Sequence, residues 1–225
     1  MIDFIKDPSF YNFVRGPLVW IAFLTFIFGS MYRVYTILKL VRKDKVILPY
    51  LNSKYIARSF FHWLVPFNTY NWRRRPVITT ITFSFHVCLV FTPIFLLAHS
   101  ILWRESFGVS WWSLPERLAD IMTLIVIFSC VFFFLRRLFA PEVRFVTFSS
   151  DYLILALSCL PFLTGFLAYH QMLLSHKTMV ILHMAFGSAM LIAIPFTRLA
   201  HMVFFFLTRA YLASEAGVVR RSKDW

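Results

Sequence analysis

Five long apolar runs, at about 17–38, 77–102, 118–135, 152–169 and 178–207, leave this chain few ways to fold. Each has about 18 residues or more, and at 1.5 Å per residue that length approaches or exceeds a hydrocarbon core about 30 Å thick. Inside lipid the backbone must pair its own polar groups, and these continuous runs lack the short alternating pattern of barrel strands. The expected fold is therefore an all-α membrane protein with five transmembrane helices. Composition agrees: 60% of the residues are hydrophobic and 15% are charged, whereas soluble domains are about one quarter charged. No repeat or low-complexity linker divides the 225 residues, so they read as a single membrane-embedded domain over 1–225.

A net charge of +13 raises the question of nucleic acid, but the cations are distributed by side. The connection after the first run holds Arg33, Lys39, Arg42, Lys43, Lys45, Lys54, Arg58, Arg73, Arg74 and Arg75. The next connection on that side holds Arg136, Arg137 and Arg144, and the C-terminal end holds Arg198, Arg209, Arg220, Arg221 and Lys223. The opposite side holds Lys6, Arg15, Arg104, Arg117 and Lys177, so the split is 18 to 5. The positive-inside rule then places the N-terminus outside and the C-terminus in the cytoplasm. The excess charge is absorbed by topology, which argues against nucleic acid as a partner.

Two cytoplasmic segments follow, a loop at about 41–75 and a short basic tail at about 208–225. Within the loop, SKYIARSFFHWLVPF has apolar residues at helical spacing and few cations, as an interfacial helix or a subunit contact would. His62 reads as an interfacial residue there. The N-terminus lacks a basic region and a small-residue cleavage site, so it reads as a retained first helix. Cys88, Cys130 and Cys159 stand far apart in apolar runs and form no haem-attachment or cluster motif. They read as packing residues.

The chemistry is concentrated in histidine. His86, His99, His183 and His201 lie in the second and fifth runs, where a coordinating side chain is costly and normally faces the bundle interior for a reason. The 18 residues from His183 to His201 are five turns on an unkinked helix, so both rings point one way about 27 Å apart. The two helices run antiparallel, which matches His86 with His201 at the inner depth and His99 with His183 at the outer depth. Two histidines at one depth can supply both axial ligands of a b-type haem. The 13 residues from His86 to His99 leave their directions about 220° apart beyond three turns, and a kink at Pro93 is needed to bring the outer half round. His170 and His176 read as solvated residues of an outer loop.

From Leu135 onward the sequence resembles the gamma, cytochrome b subunit of respiratory nitrate reductase and its relatives. The resemblance is carried by LRRLFAPEVR, SSDYLILALSCLPFLTGFL, LHMAFGSAMLIAIPFTRLAH and LTRAY, and by Phe85 with His86. It implies four histidine ligands for two b-type haems, with the same 18-residue spacing in the fifth helix. The chain departs from the nitrate reductase pattern at Leu96, where that family has its outer ligand, and offers His99 three residues later. HVCLVFTPIFLLAH and the short length look like the branch found in transmembrane redox complexes of sulfate-reducing bacteria. That branch implies a periplasmic multihaem cytochrome c, other membrane subunits and cytoplasmic iron–sulfur subunits as partners.

The expected function is electron transfer across the membrane through two bis-histidine b haems, between periplasmic cytochrome c or the quinone pool and the cytoplasmic iron–sulfur partners. Reactivity with menaquinone is implied by the resemblance. Glu105, Glu116, Arg117, Asp120 and His176 stand at the outer ends without a spacing that selects among them. Arg198, one turn before His201, is a candidate haem propionate partner as well as a plain inner-face anchor. Asp151 reads as a helix N-terminal residue. A proton or ion transporter subunit is the alternative that would also bury histidines, although the spans contain few carboxylates. A non-redox membrane anchor is the other.

Overall fold

A computed structural model describes residues 8–43 and 50–223; Lys6 and Lys45 of the topology count lie outside the described residues. Those residues build ten α-helices: α1 Pro8–Lys43, α2 Ser53–Leu64, α3 Tyr70–Arg74, α4 Pro76–Phe95, α5 Leu97–Phe107, α6 Glu116–Phe139, α7 Pro141–Arg144, α8 Ser149–Tyr169, α9 His176–Ala193 and α10 His201–Ser214. A π-helical turn at Val14–Leu18 accommodates Pro17 within α1. Six helical stretches are long and apolar enough to cross a membrane: α1, α4, α6, α8, α9 extended to Phe196, and Arg198–Val219.

The sixth stretch arises because the expected fifth run, 178–207, is not one helix. Short 3-10 turns at Ile194–Phe196 and Arg198–Ala200 flank Thr197, whose φ of −121° and ψ of −173° are extended. Pro195 cannot donate to the helical ladder, and its ring packs where a Cβ on Gly29 would stand 2.8 Å from its Cγ. Thr197 then caps the next turn by accepting from the Leu199 amide at 3.2 Å. The straight helix that would align His183 with His201 is thus interrupted between them. The second run is broken as well, at Leu96, which takes an extended ψ of 131° between α4 and α5.

The chain forms two compact units. The first takes the chain up to Val19 together with Ile81–Met190; the second takes Trp20–Thr80 and the chain from Leu191. In the first, a seam of small and apolar side chains joins α4, α6 and α8. Phe85, Cys88, Val126 and Cys130 are buried, with Leu89, Met122, Leu155, Cys159 and Phe162 against them. Ala119, Thr123, Val126 and Cys130 recur at helical spacing on α6, and small residues let apolar helices approach closely. Hydroxyls in and beside this seam bond within their own helices, as lipid requires: Thr123 donates to Ala119 at 2.8 Å, Ser158 to Ile154 at 2.9 Å and Thr164 to Leu160 at 2.6 Å. Asp151 sits in the first turn of α8 and accepts from the Phe148 amide at 2.8 Å.

In the second unit α10 lies antiparallel along α2. The Asn52 amide donates to Ser214 Oγ at 3.1 Å, Arg209 Nε donates to Ser59 Oγ at 2.9 Å, and Phe60 packs on Phe205 and Phe206. Partner numbers fall on α10 as they rise on α2. The Tyr55 ring lies so close over Gly217 that a side chain there would clash. Arg209, only 8% exposed, also places its guanidinium 4.8 Å from the Trp63 ring centre.

Candidate functional site

His99 and His183 meet within the first unit. Their ring centres are 5.9 Å apart and their planes 23° from parallel. His183 is carried by α9 and His99 by α5, so the approach depends on the break at Leu96.

A helix that stops at Phe95 strands its last carbonyls, and each of three is taken up by a different group. The His99 Nδ1–H donates to Pro93 O at 2.7 Å, the Trp111 indole N–H donates to Ile94 O at 2.7 Å, and the Leu114 amide donates to Phe95 O at 2.8 Å. Trp112 stacks on Phe95 at 4.5 Å. The loop after α5 therefore folds back over the break and holds it open. Ser100 ties α5 to the same loop by donating to Trp111 O at 3.1 Å. The kink expected at Pro93 occurs three residues later, and it brings His99 to His183 despite the 13-residue interval.

His183 is held from the other side by α8. Its Nδ1–H donates to Pro161 O at 2.8 Å, and Gly165, one turn on, leaves the space the ring occupies, since a Cβ there would stand 2.9 Å from Nδ1. Gly187 lies one turn beyond His183 on α9, and a Cβ added to it meets nothing within 4 Å. The face that carries the imidazole therefore continues into open space.

A backbone carbonyl can only accept, so both rings carry their proton on Nδ1 and keep the Nε2 lone pair. Metal-bound histidines are oriented in this way. His86 and His201 have the same form, donating from Nδ1 to Thr82 O at 2.7 Å and to Arg198 O at 2.8 Å. His86 belongs to the first unit and His201 to the second, and both are exposed. Arg198 meets His201 through its backbone oxygen from a separate 3-10 turn.

The same Nδ1 bond recurs at His176, and His62 and His170 differ in setting. His62 has the opposite tautomer: its Nδ1 accepts from the Asn68 amide group at 2.8 Å and its Nε2 donates to Asn68 O at 3.1 Å. His170 faces Asp120 at 3.3 Å and packs on Phe166 at the C-terminal end of α8, and His176 donates from Nδ1 to Ala168 O at 3.0 Å.

Among the described residues no three His, Cys, Asp or Glu side chains gather as a metal site. A porphyrin supplies four donors in its plane and asks the protein for two axial ligands only. Two imidazoles that each place Nε2 about 2 Å from one metal have ring centres about 6 Å apart, and the His99–His183 separation fits. The histidines are legible in the sequence, whereas Pro161, Gly165 and the Trp111 loop have no titratable or ligating group to mark them. A glycine one turn after a proline, in LPFLTG, is the signal that was present for the first two.

No family profile and no solved structure matches the chain. A protein of Nitratidesulfovibrio vulgaris strain Hildenborough is 38% identical over 215 residues, spanning 93% of this chain and 95% of the relative. At that identity over nearly the full length of both, the chain belongs to the same family as this Nitratidesulfovibrio vulgaris protein.

Proposed function

We propose that this chain is the membrane cytochrome b subunit of a multisubunit respiratory redox complex in the bacterial inner membrane. Its role is to carry electrons between periplasmic cytochrome c or the quinone pool and cytoplasmic iron–sulfur partners. The single observation that carries this reading is the His99–His183 pair, 5.9 Å apart with each Nδ1 bound to a backbone carbonyl. A bound b haem supplies the one-electron couple.

The chain's own residues do the rest. His99 and His183 are the residues that would hold the outer haem. Pro93 O and Pro161 O hold their rings and fix the tautomer, Gly165 admits the His183 ring, and Gly187 leaves room beside it. Held by two histidines, such a haem would be closed to oxygen and substrates, which suits electron transfer. The assignment of His86 and His201 as ligands of the inner haem rests on the resemblance of FH and LHMAFGSAMLIAIPFTRLAH to the nitrate reductase gamma family. The multihaem cytochrome c, the iron–sulfur subunits and menaquinone follow from the same resemblance.

Five crossings with the C-terminus inside fit this function, with α10 lying at the inner surface rather than crossing. Its partner α2 has 12 residues, about 18 Å, which is too short to span. The buried Arg209 in the middle of α10 is costly at the bilayer centre but tolerable at its edge. A reduced-minus-oxidised spectrum of the purified complex tests the function: b-type bands assigned to this chain are expected, and their absence would overturn the reading.

A further inference from the structure

The surface around α2 and α3 has a charge and shape that the redox role does not use. From Tyr50 to Thr80 there is no Asp or Glu, while Lys54, Arg58, Arg73, Arg74 and Arg75 are all exposed. Among the described residues of the second unit the one carboxylate is Glu215, which Arg220 holds at 2.8 Å. Beside these cations stand exposed apolar side chains: Phe61 at 72%, Leu64 at 67%, Val65 at 53% and Tyr70 at 62%. Arg74 extends over the Tyr70 ring at 5.4 Å.

We propose that this face binds anionic phospholipid headgroups of the leaflet it lies against. Arg73, Arg74 and Arg75 directly precede α4, an apolar stretch long enough to span, which places their guanidiniums at headgroup level. Phe61, Leu64 and Val65 enter the acyl boundary while the arginines take the phosphates, the division of labour of an interfacial amphipathic helix. An acidic protein surface would match the charge but not the protruding apolar side chains. Arg209, locked between Ser59 and Trp63, keeps α2 fixed on α10 so that this face stays presented. The proposal rests on the membrane placement argued above and not on the haems.

The test incubates the detergent-extracted full chain with vesicles of equal phosphatidylcholine and phosphatidylglycerol and counts retained lipid by native mass spectrometry. Phosphatidylglycerol is expected to be retained in preference, less so as salt rises. Each cation at a membrane surface contributes about a five-fold preference, so R73Q/R74Q/R75Q should lower it on the order of 100-fold. The corresponding Arg→Lys variant should keep it, and an unchanged thermal midpoint for the Gln variant shows that the fold persists. If the Gln variant does not fold, the salt dependence and the Lys variant carry the test alone. Equal retention of both lipids by the unaltered chain overturns the proposal, as does undiminished preference in the folded Gln variant. Release by that variant of a tightly bound acidic protein, with no lipid preference, would assign the surface to a protein partner and overturn it too.

Discussion

Gly165 and His183 are packed so closely that a Cβ on the glycine would stand 2.9 Å from the imidazole Nδ1. Gly165→Ala should therefore push the ring off Pro161 O. Overpacking of this kind costs about 1–3 kcal/mol, and the expected outcome is partial loss of the outer haem with the inner one kept. Haem content and the difference spectrum check it; full retention of both haems would show that the cradle does not position His183.

Trp111 acts on the same centre through the backbone. Trp111→Phe keeps a ring in the loop but deletes the donor to Ile94 O, leaving a stranded carbonyl at the break. The loss should be about 1–2 kcal/mol. Because the break positions His99, the outer haem should loosen before the fold does, seen as a shifted potential in a redox titration at a nearly unchanged thermal midpoint.

Arg209→Met removes the bond to Ser59 and the cation over Trp63 while keeping much of the volume. Loss of a charged hydrogen bond in a buried setting costs about 1.5–3 kcal/mol. Limited proteolysis should then cut more readily within 50–75, while haem bound by His99 and His183 persists.

The arrangement of α10 predicts the side of the C-terminus. A fluorescent protein fused after Trp225 should fold and emit, as it does in the cytoplasm, and an alkaline phosphatase fused there should stay inactive. The reverse pattern would make Arg198–Val219 a sixth crossing.

The apolar runs announced long apolar helices, because lipid imposes length and continuity locally, although the run at 178–207 divides into two stretches. The breaks were less legible because they are decided at a distance. Pro93 signals a weakened helix, but the stop at Leu96 depends on Trp111 and Leu114 capturing Ile94 O and Phe95 O. Pro195 likewise gains its effect from the space Gly29 leaves. The amphipathic pattern of SKYIARSFFHWL shows that α2 has something to cover, yet it takes contacts such as Ser59 to Arg209, Asn52 to Ser214 and Phe60 to Phe205 to identify α10 as the cover. The pairing of His99 with His183 was an expectation from the sequence, and the two rings do meet; the carbonyls that hold them were not readable there.

The central claim is that His99 and His183 share one haem iron. Haem b per chain, measured by spectrum in the purified wild type, His99→Ala and His183→Ala, tests it most directly. The account predicts two haems in the wild type and loss of the same one in both variants. A wild type without b haem, or a His99→Ala chain that keeps both, would contradict it.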